Sequence, residues 1–96
     1  MNVWIEFMGF PAIYHLFPEG LHPYRFEGTT LMDLVRDLAD RRPPEVRESL
    51  LEGSTQSLDP TIQITINGRF VSKDEILRKK IHEGDRVAFL RLLAGG

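Results

Sequence analysis

The sequence predicts an α+β fold, a mixed sheet of four to five strands packed on one main helix. Three observations predict it. Residues 3–7 and 61–66 alternate apolar with polar side chains, the period of a strand with one buried face. Leu31, Leu34, Val35 and Leu38 recur at i, i+3, i+4 and i+7, the stripe of an amphipathic helix. The run Arg86-Val87-Ala88-Phe89-Leu90 then closes the chain as a strand, which places the helix between strands in sequence.

In the first element Val3, Ile5 and Phe7 take the buried face, which puts Trp4 on the other. Gly9-Phe10-Pro11 ends it. Residues 12–24 read as a hairpin connection with a wide loop at Pro18-Glu19-Gly20, and Tyr24-Arg25-Phe26-Glu27 as a short second strand. Thr29 or Thr30 caps the helix, and Thr30-Leu31-Met32-Asp33 has the form of a capping box with Asp in the Glu/Gln position. Arg41 and Arg42 stand where a helix C-terminus favours cations, and Pro43-Pro44 stops the helix. A second short helix fits residues 44–51, with Pro44 in its first turn.

Thr61-Ile62-Gln63-Ile64-Thr65-Ile66 is the cleanest strand pattern, and Asn67-Gly68 is a strong hairpin signal. Arg69-Phe70-Val71 returns as a short strand. Residues 72–80 read as a mixed or short helical segment, and Glu83-Gly84-Asp85 turns the chain into the last strand, which runs to about Leu92. The compact arrangement of these elements is a β-grasp, with the first and last strands side by side in the middle of the sheet. The domain spans residues 1–90, and residues 91–96 form a C-terminal tail.

Ninety-six residues fit one small domain. Hydrophobic residues are 42% and charged residues 27% of the chain, ordinary for a globular protein. A net charge of −2 argues against a nucleic-acid partner. No apolar run approaches the ~18 residues of a membrane span, and no secretory signal opens the chain, so cytoplasm is the expected location. The absence of cysteine excludes disulfides, thiolate metal sites and a cysteine nucleophile. Sulfur chemistry would have to use sulfur held elsewhere than on a side-chain thiol.

The sequence ends Arg91-Leu92-Leu93-Ala94-Gly95-Gly96. Glycine lacks Cβ and reaches backbone conformations closed to other residues, so a Gly-Gly end can thread a narrow channel and present its carboxylate to another protein. The plain alternative is a frayed terminus.

The chain resembles the ubiquitin-like sulfur-carrier family, which includes the small subunit of molybdopterin synthase (MoaD-type) and the sulfur carrier of thiamine synthesis (ThiS-type). The likeness is carried by residues 3–9 with Phe10-Pro11, by residues 30–42, by Ile64-Thr65-Ile66-Asn67-Gly68, and by Glu83-Gly84-Asp85-Arg86-Val87-Ala88-Phe89 followed by a tail to Gly95-Gly96. Arg91-Leu92 stands where the MoaD-type tail usually carries Pro-Pro. Ala94-Gly95-Gly96 looks closer to the ThiS-type ending. The block 41–60 is long, as in MoaD-type carriers, and residues 12–24 match neither.

The resemblance implies a carrier with no catalytic residue of its own and no bound cofactor. A ubiquitin-activating-like adenylyltransferase, using ATP and Mg, would adenylate Gly96. A sulfur-donor enzyme would convert the adduct to a thiocarboxylate. The acceptor would be the large molybdopterin synthase subunit, favoured here, or thiazole synthase. A protein modifier joined to lysines through the same terminus is the alternative of another class. Tail recognition would fall to Arg91, Leu92, Leu93, Ala94 and Gly95, and partner docking to Phe70, Phe89 and Leu90, with core positions the competing reading for Val87 and Phe89.

Other signals are weaker. His15, His22 and His82 match no compact ligand spacing, so no metal is expected. Arg78-Lys79-Lys80 reads as a solvated face. Asp33, Asp37 and Asp40 lie outside the apolar stripe and read as solvent-facing charge.

Overall fold

The computed structural model describes residues 1–53 and 57–91. The strands are β1 (Asn2–Met8), β2 (His22–Arg25), β3 (Ile62–Ile66), β4 (Arg69–Phe70) and β5 (Arg86–Arg91), and the helices α1 (Leu31–Arg41) and α2 (Pro44–Leu50). The sheet order is β2-β1-β5-β3-β4. β1 and β5 pair in parallel at its centre, with Ile5 opposite Val87 and Phe7 opposite Phe89. The flanking pairings, β1 with β2 and β5 with β3, are antiparallel. This is the mixed sheet and the central strand pair expected of a β-grasp.

One face of the sheet is dry. Val3, Ile5 and Phe7 of β1, Ile62, Ile64 and Ile66 of β3, and Val87 and Phe89 of β5 are buried. Against them packs the stripe of α1, in which Leu31, Leu34, Val35 and Leu38 are fully buried. Fully burying a side chain of this kind stabilises by about 1.5–3 kcal/mol. The rings of Phe7 and Phe89 stack at 5.0 Å between centroids, and Phe10 meets Phe7 edge-on at 5.6 Å. The stack therefore joins the two central strands across the face that α1 covers.

Local chemistry sets the joints. Asn67 and Gly68 both take positive φ (53° and 84°), the conformation a two-residue hairpin needs to match strand twist. At the start of α1 the capping box is complete: Thr30 Oγ1 accepts from the Asp33 amide at 3.1 Å, and Asp33 Oδ2 accepts from the Thr29 and Thr30 amides at 2.9 and 3.1 Å.

Three segments depart from the sequence reading. β2 pairs residues 22–25 with β1, two residues earlier than expected. Residues 12–24 do not form a plain wide loop, because a single 3-10 turn at Pro11–Ile13 buries Ile13 and sends Phe17 back against Phe7. Residues 72–80 form turns and no regular helix. Isolated i+3 bonds (Glu75 N to Ser72 O, Arg78 N to Glu75 O) hold them, and only Ile76 is buried, so no apolar face supports a continuing helix.

Asp33 is not merely solvent-facing charge. The Thr29 and Thr30 amides hold its carboxyl below the ordinary range. A lowered folded-state pKa contributes stability that is complete above the unfolded value of about 4 and is lost as pH falls through the folded value. Denaturant titrations at pH 7 and near pH 3 should show Asp33→Asn losing less stability between the two than the parent chain. Equal losses would reject the assignment. Thr30→Ala should cost about 1 kcal/mol at neutral pH.

Candidate functional site

The candidate site is the far end of β5, where residues 92–96 continue from Arg91. Its geometry starts at the other end of the strand. Gly84, at φ +83°, donates its amide to Asn2 O at 2.8 Å, and Glu83 Oε1 accepts from the Asn2 amide at 3.0 Å. Asp85 O takes the Trp4 amide at 2.9 Å, while Asp85 Oδ1 accepts from Asn67 Nδ2 at 2.9 Å. Asn67 Oδ1 in turn accepts from the Arg86 amide at 2.9 Å. The Glu83-Gly84-Asp85 turn thus ties β5 to the start of β1 and to the β3–β4 hairpin before the strand begins. This fixes the strand's register.

At the delivery end Arg91 is the last residue of β5, opposite Ile62 of β3. It shares the parity of Val87 and Phe89, so its side chain starts on the covered face. Its guanidinium Nη2 donates to Ser49 O of α2 at 2.6 Å and to Asp59 Oδ2 at 3.1 Å. The guanidinium carbon lies over the Phe10 ring at 4.9 Å from the centroid, a cation–π placement. Nε is buried with no hydrogen-bond partner among the described residues. Such a buried N–H is costly, and the negative face of the ring offsets part of that cost.

Asp59 is itself fixed, accepting from the Thr61 hydroxyl at 2.7 Å and the Thr61 amide at 2.9 Å. Those bonds, with lesser help from Arg91 and Lys73, hold its carboxyl below the ordinary range. On the backbone side, a Cβ placed on Gly9 would overlap the Arg91 carbonyl oxygen. Gly9 has φ +87°, and its amide donates to the Tyr14 hydroxyl at 3.0 Å. Only glycine suits that position, since both the dihedral and the space exclude a side chain.

Arg91 is therefore the last residue of β5 and is tied by its side chain to α2 and to the loop before β3. The strand pattern reached Arg91 but could not show its side-chain partners, which lie 32 and 42 residues away. Leu92, Leu93, Ala94, Gly95 and Gly96 lie outside the described residues.

The docking candidates separate. Phe89 is fully buried in the stack with Phe7 and offers no surface, which corrects its assignment as a contact. The reason is parity: Phe89 shares the covered face with Val87. Leu90 and Phe70 point the other way. Register places Leu90 between Met8 and Gln63 on the open face, and Phe70 beside Thr65 there. Phe70 is 68% exposed, and Trp4 and Met8 are also exposed on this face. The alternation in β1 had already turned Trp4 outward, and it joins Met8, Leu90 and Phe70 as the apolar component of that face.

Among the described residues, no group of three or more His, Cys, Asp or Glu could hold a metal ion. His22 contacts Pro18 O at 2.6 Å, while His15 and His82 lie 3.6 and 3.8 Å from Glu45 and Asp85. Lys79 O accepts the Leu31 amide at 2.8 Å, so the backbone of the basic run docks at the start of α1. Asp37 is not solvent-facing. It accepts from the Tyr24 hydroxyl at 2.6 Å and lies 3.4 Å from Arg41, and its side chain is 7% exposed. Burial, then the Asp37 bond, pushes the Tyr24 hydroxyl pKa well up. No helix among the described residues is long and apolar enough to cross a membrane.

Residues 23–96, more than half of the chain, match the sequence model of the ThiS family. The chain belongs to this family of ubiquitin-like sulfur carriers. No curated protein matches it in sequence. Solved structures resemble it throughout. SAMP1 from Haloferax volcanii is 16% identical with TM-score 0.75, covering 100% of both chains. Urm1 from Trypanosoma brucei is 24% identical with TM-score 0.72, covering 99% of this chain and 95% of that one. CysO in the Amycolatopsis orientalis BexX/CysO complex matches with TM-score 0.70 at 20% identity, over 98% of this chain and 99% of the other. At these identities the likeness speaks to the ubiquitin-like fold.

The two phenylalanines give a direct check on facing. Phe89→Ala should cost about 3–5 kcal/mol, whereas Phe70→Ala should stay within about 0.5 kcal/mol. Urea unfolding of the two variants reads both values, and comparable losses would overturn the assignment of faces.

Proposed function

We propose that this ThiS-family protein carries sulfur on the main-chain carboxyl of Gly96. The observation that carries the reading is that the family match extends through Gly95 and Gly96 in a chain with no cysteine. A terminal carboxyl has a reference pKa of about 3.3–3.7 and is ionised at neutral pH. One carboxylate oxygen attacks the α-phosphorus of ATP on an activating partner, pyrophosphate leaves, and an acyl-adenylate forms. A sulfide-equivalent nucleophile from a sulfur donor then adds to the carbonyl carbon and expels AMP, leaving C(=O)–S⁻. In this role the chain is a cosubstrate and supplies no acid, base or nucleophilic side chain.

The proposed partners are an adenylyltransferase of the ubiquitin-activating kind, a sulfur donor and an acceptor synthase. The acceptor we favour is the large subunit of molybdopterin synthase, as the long block at residues 41–60 suggests by resemblance. Thiazole synthase is the alternative that the Ala94-Gly95-Gly96 ending favours. Partner contact through the open face is supported by the exposed Trp4, Met8 and Phe70 beside Leu90. Residues 92–96, if extended, reach roughly 17 Å from Arg91, longer than the 12.3 Å radius of gyration of the body. Gly96 can thus enter a recessed active site while the body stays outside.

Intact mass spectrometry of the protein from its native host tests the chemistry. Replacement of one oxygen by sulfur at Gly96 is the expected result, and higher-mass conjugates on lysines of other proteins would mean a modifier instead. In ATP–pyrophosphate exchange with the activating enzyme, Gly95→Val and Gly96→Val should keep the fold and abolish exchange. Normal exchange by either variant would refute the threading argument.

A further inference from the structure

We propose that Arg91 is a positioning residue, and that its clamp fixes the backbone at the end of β5, the point from which the chain continues toward Gly96. The clamp also governs how readily the activating enzyme captures the tail. The inference rests on the adenylation reading above.

Arg91 is restrained from three sides, by β3 and the loop before it, by the turn after β1 and by the end of α2. Its backbone is paired to Ile62 of β3. Its carbonyl is packed against Gly9, just past β1, where no side chain fits. Its guanidinium is held by the Ser49 carbonyl at the end of α2 and by Asp59 in the loop before β3, with Phe10 beneath. A strand end needs only its ladder bonds to be a strand. Here an arginine occupies a position whose parity would suit another aliphatic residue, and its buried Nε–H has no hydrogen-bond partner among the described residues. Stability alone does not call for a half-buried charge pair at such a position, since a well-packed apolar residue is commonly as good or better where the pair is desolvated.

The acceptors are chosen for rigidity. Ser49 is buried, and its carbonyl belongs to a helix held by Val46 and Leu50 in the core. Asp59 is oriented by two bonds from Thr61, and the Asp59 amide donates to Leu50 O at 2.8 Å. Acceptors fixed in this way transmit their orientation to the guanidinium, whose planar fork accepts few geometries. The backbone of Arg91 is then ordered before any partner arrives, and pre-organisation of that kind raises affinity without adding contacts.

The test is ATP–pyrophosphate exchange with the full chain and its activating enzyme, run well below the melting temperature of every variant. Arg91→Ala and Asp59→Asn should each raise KM for the carrier roughly tenfold and leave kcat within about twofold. The double variant should be no worse than the poorer single one, because both act through one clamp. Asp59→Asn keeps the size of the side chain and a hydrogen-bonding oxygen, so it serves where Arg91→Ala fails to fold. If the parent chain shows no exchange, the adenylation reading itself fails. If the parent exchanges while folded Arg91→Ala and Asp59→Asn keep its KM, or lower kcat instead, the positioning role is overturned.

Discussion

The structure depends on the parallel pairing of β1 with β5. Parallel neighbours cannot be joined by a tight turn. All of the chain between Met8 and Arg86 therefore serves as the crossover that brings the last strand beside the first. α1 is the part of that crossover that covers the sheet, and the Phe7–Phe89 stack is where the two strands and the core meet. With β5 at the centre, its far end emerges between the end of β1 and the start of β3. Both neighbours are paired strands, so Arg91 at the end of β5 is flanked on each side.

The two ends of β5 are secured by different chemistry. At its start, backbone and side-chain amides and carboxylates of Asn2, Asn67, Glu83 and Asp85 interlock near solvent. Those bonds are short-range and compatible with water, because exposed groups lose little if a bond opens. At its end the restraint is half-buried and charged, with Arg91 and Asp59 each about a quarter exposed. Lower local polarity strengthens the pairing and raises the penalty for a wrong partner. The first arrangement sets register. The second holds the end of the strand.

What was legible in the sequence was whatever a short window specifies. The alternation in β1 and β3, the stripe of α1, the Thr30–Asp33 box and the Asn67-Gly68 turn each arise from residues within a few positions of one another, and each took its expected form. The open face was legible in part, since strand parity sends Trp4 and Leu90 outward. The fate of Phe89 was equally a matter of parity, and its place beside Val87 decided it. Residues 12–24 and 72–80 were opaque because tertiary burial of Ile13, Phe17 and Ile76 shapes them, with no repeating local pattern to read. Asp37 looked solvated from its place on the helix wheel, and the Tyr24 hydroxyl arriving from β2 bonds to it across the helix surface.

Arg91 was the hardest residue to read, and it shows where sequence patterns stop. Viewed along the chain it is a cation at the edge of an apolar tail, and a role in recognition follows easily. Its partners come from α2 and from the loop before β3, segments that carry no signal of their own pointing to residue 91. What those segments share is position: both end beside the exit of β5. A block that looks like mere extra length between the main helix and the third strand thereby acquires a use, because it supplies the Ser49 carbonyl and the Asp59 carboxylate. The length of residues 41–60 and the arginine at 91 are two halves of one device. Leucine, alanine and glycine carry no polar or charged side chain, so a side-chain restraint at the exit of β5 has to come from the body, and Arg91 supplies it.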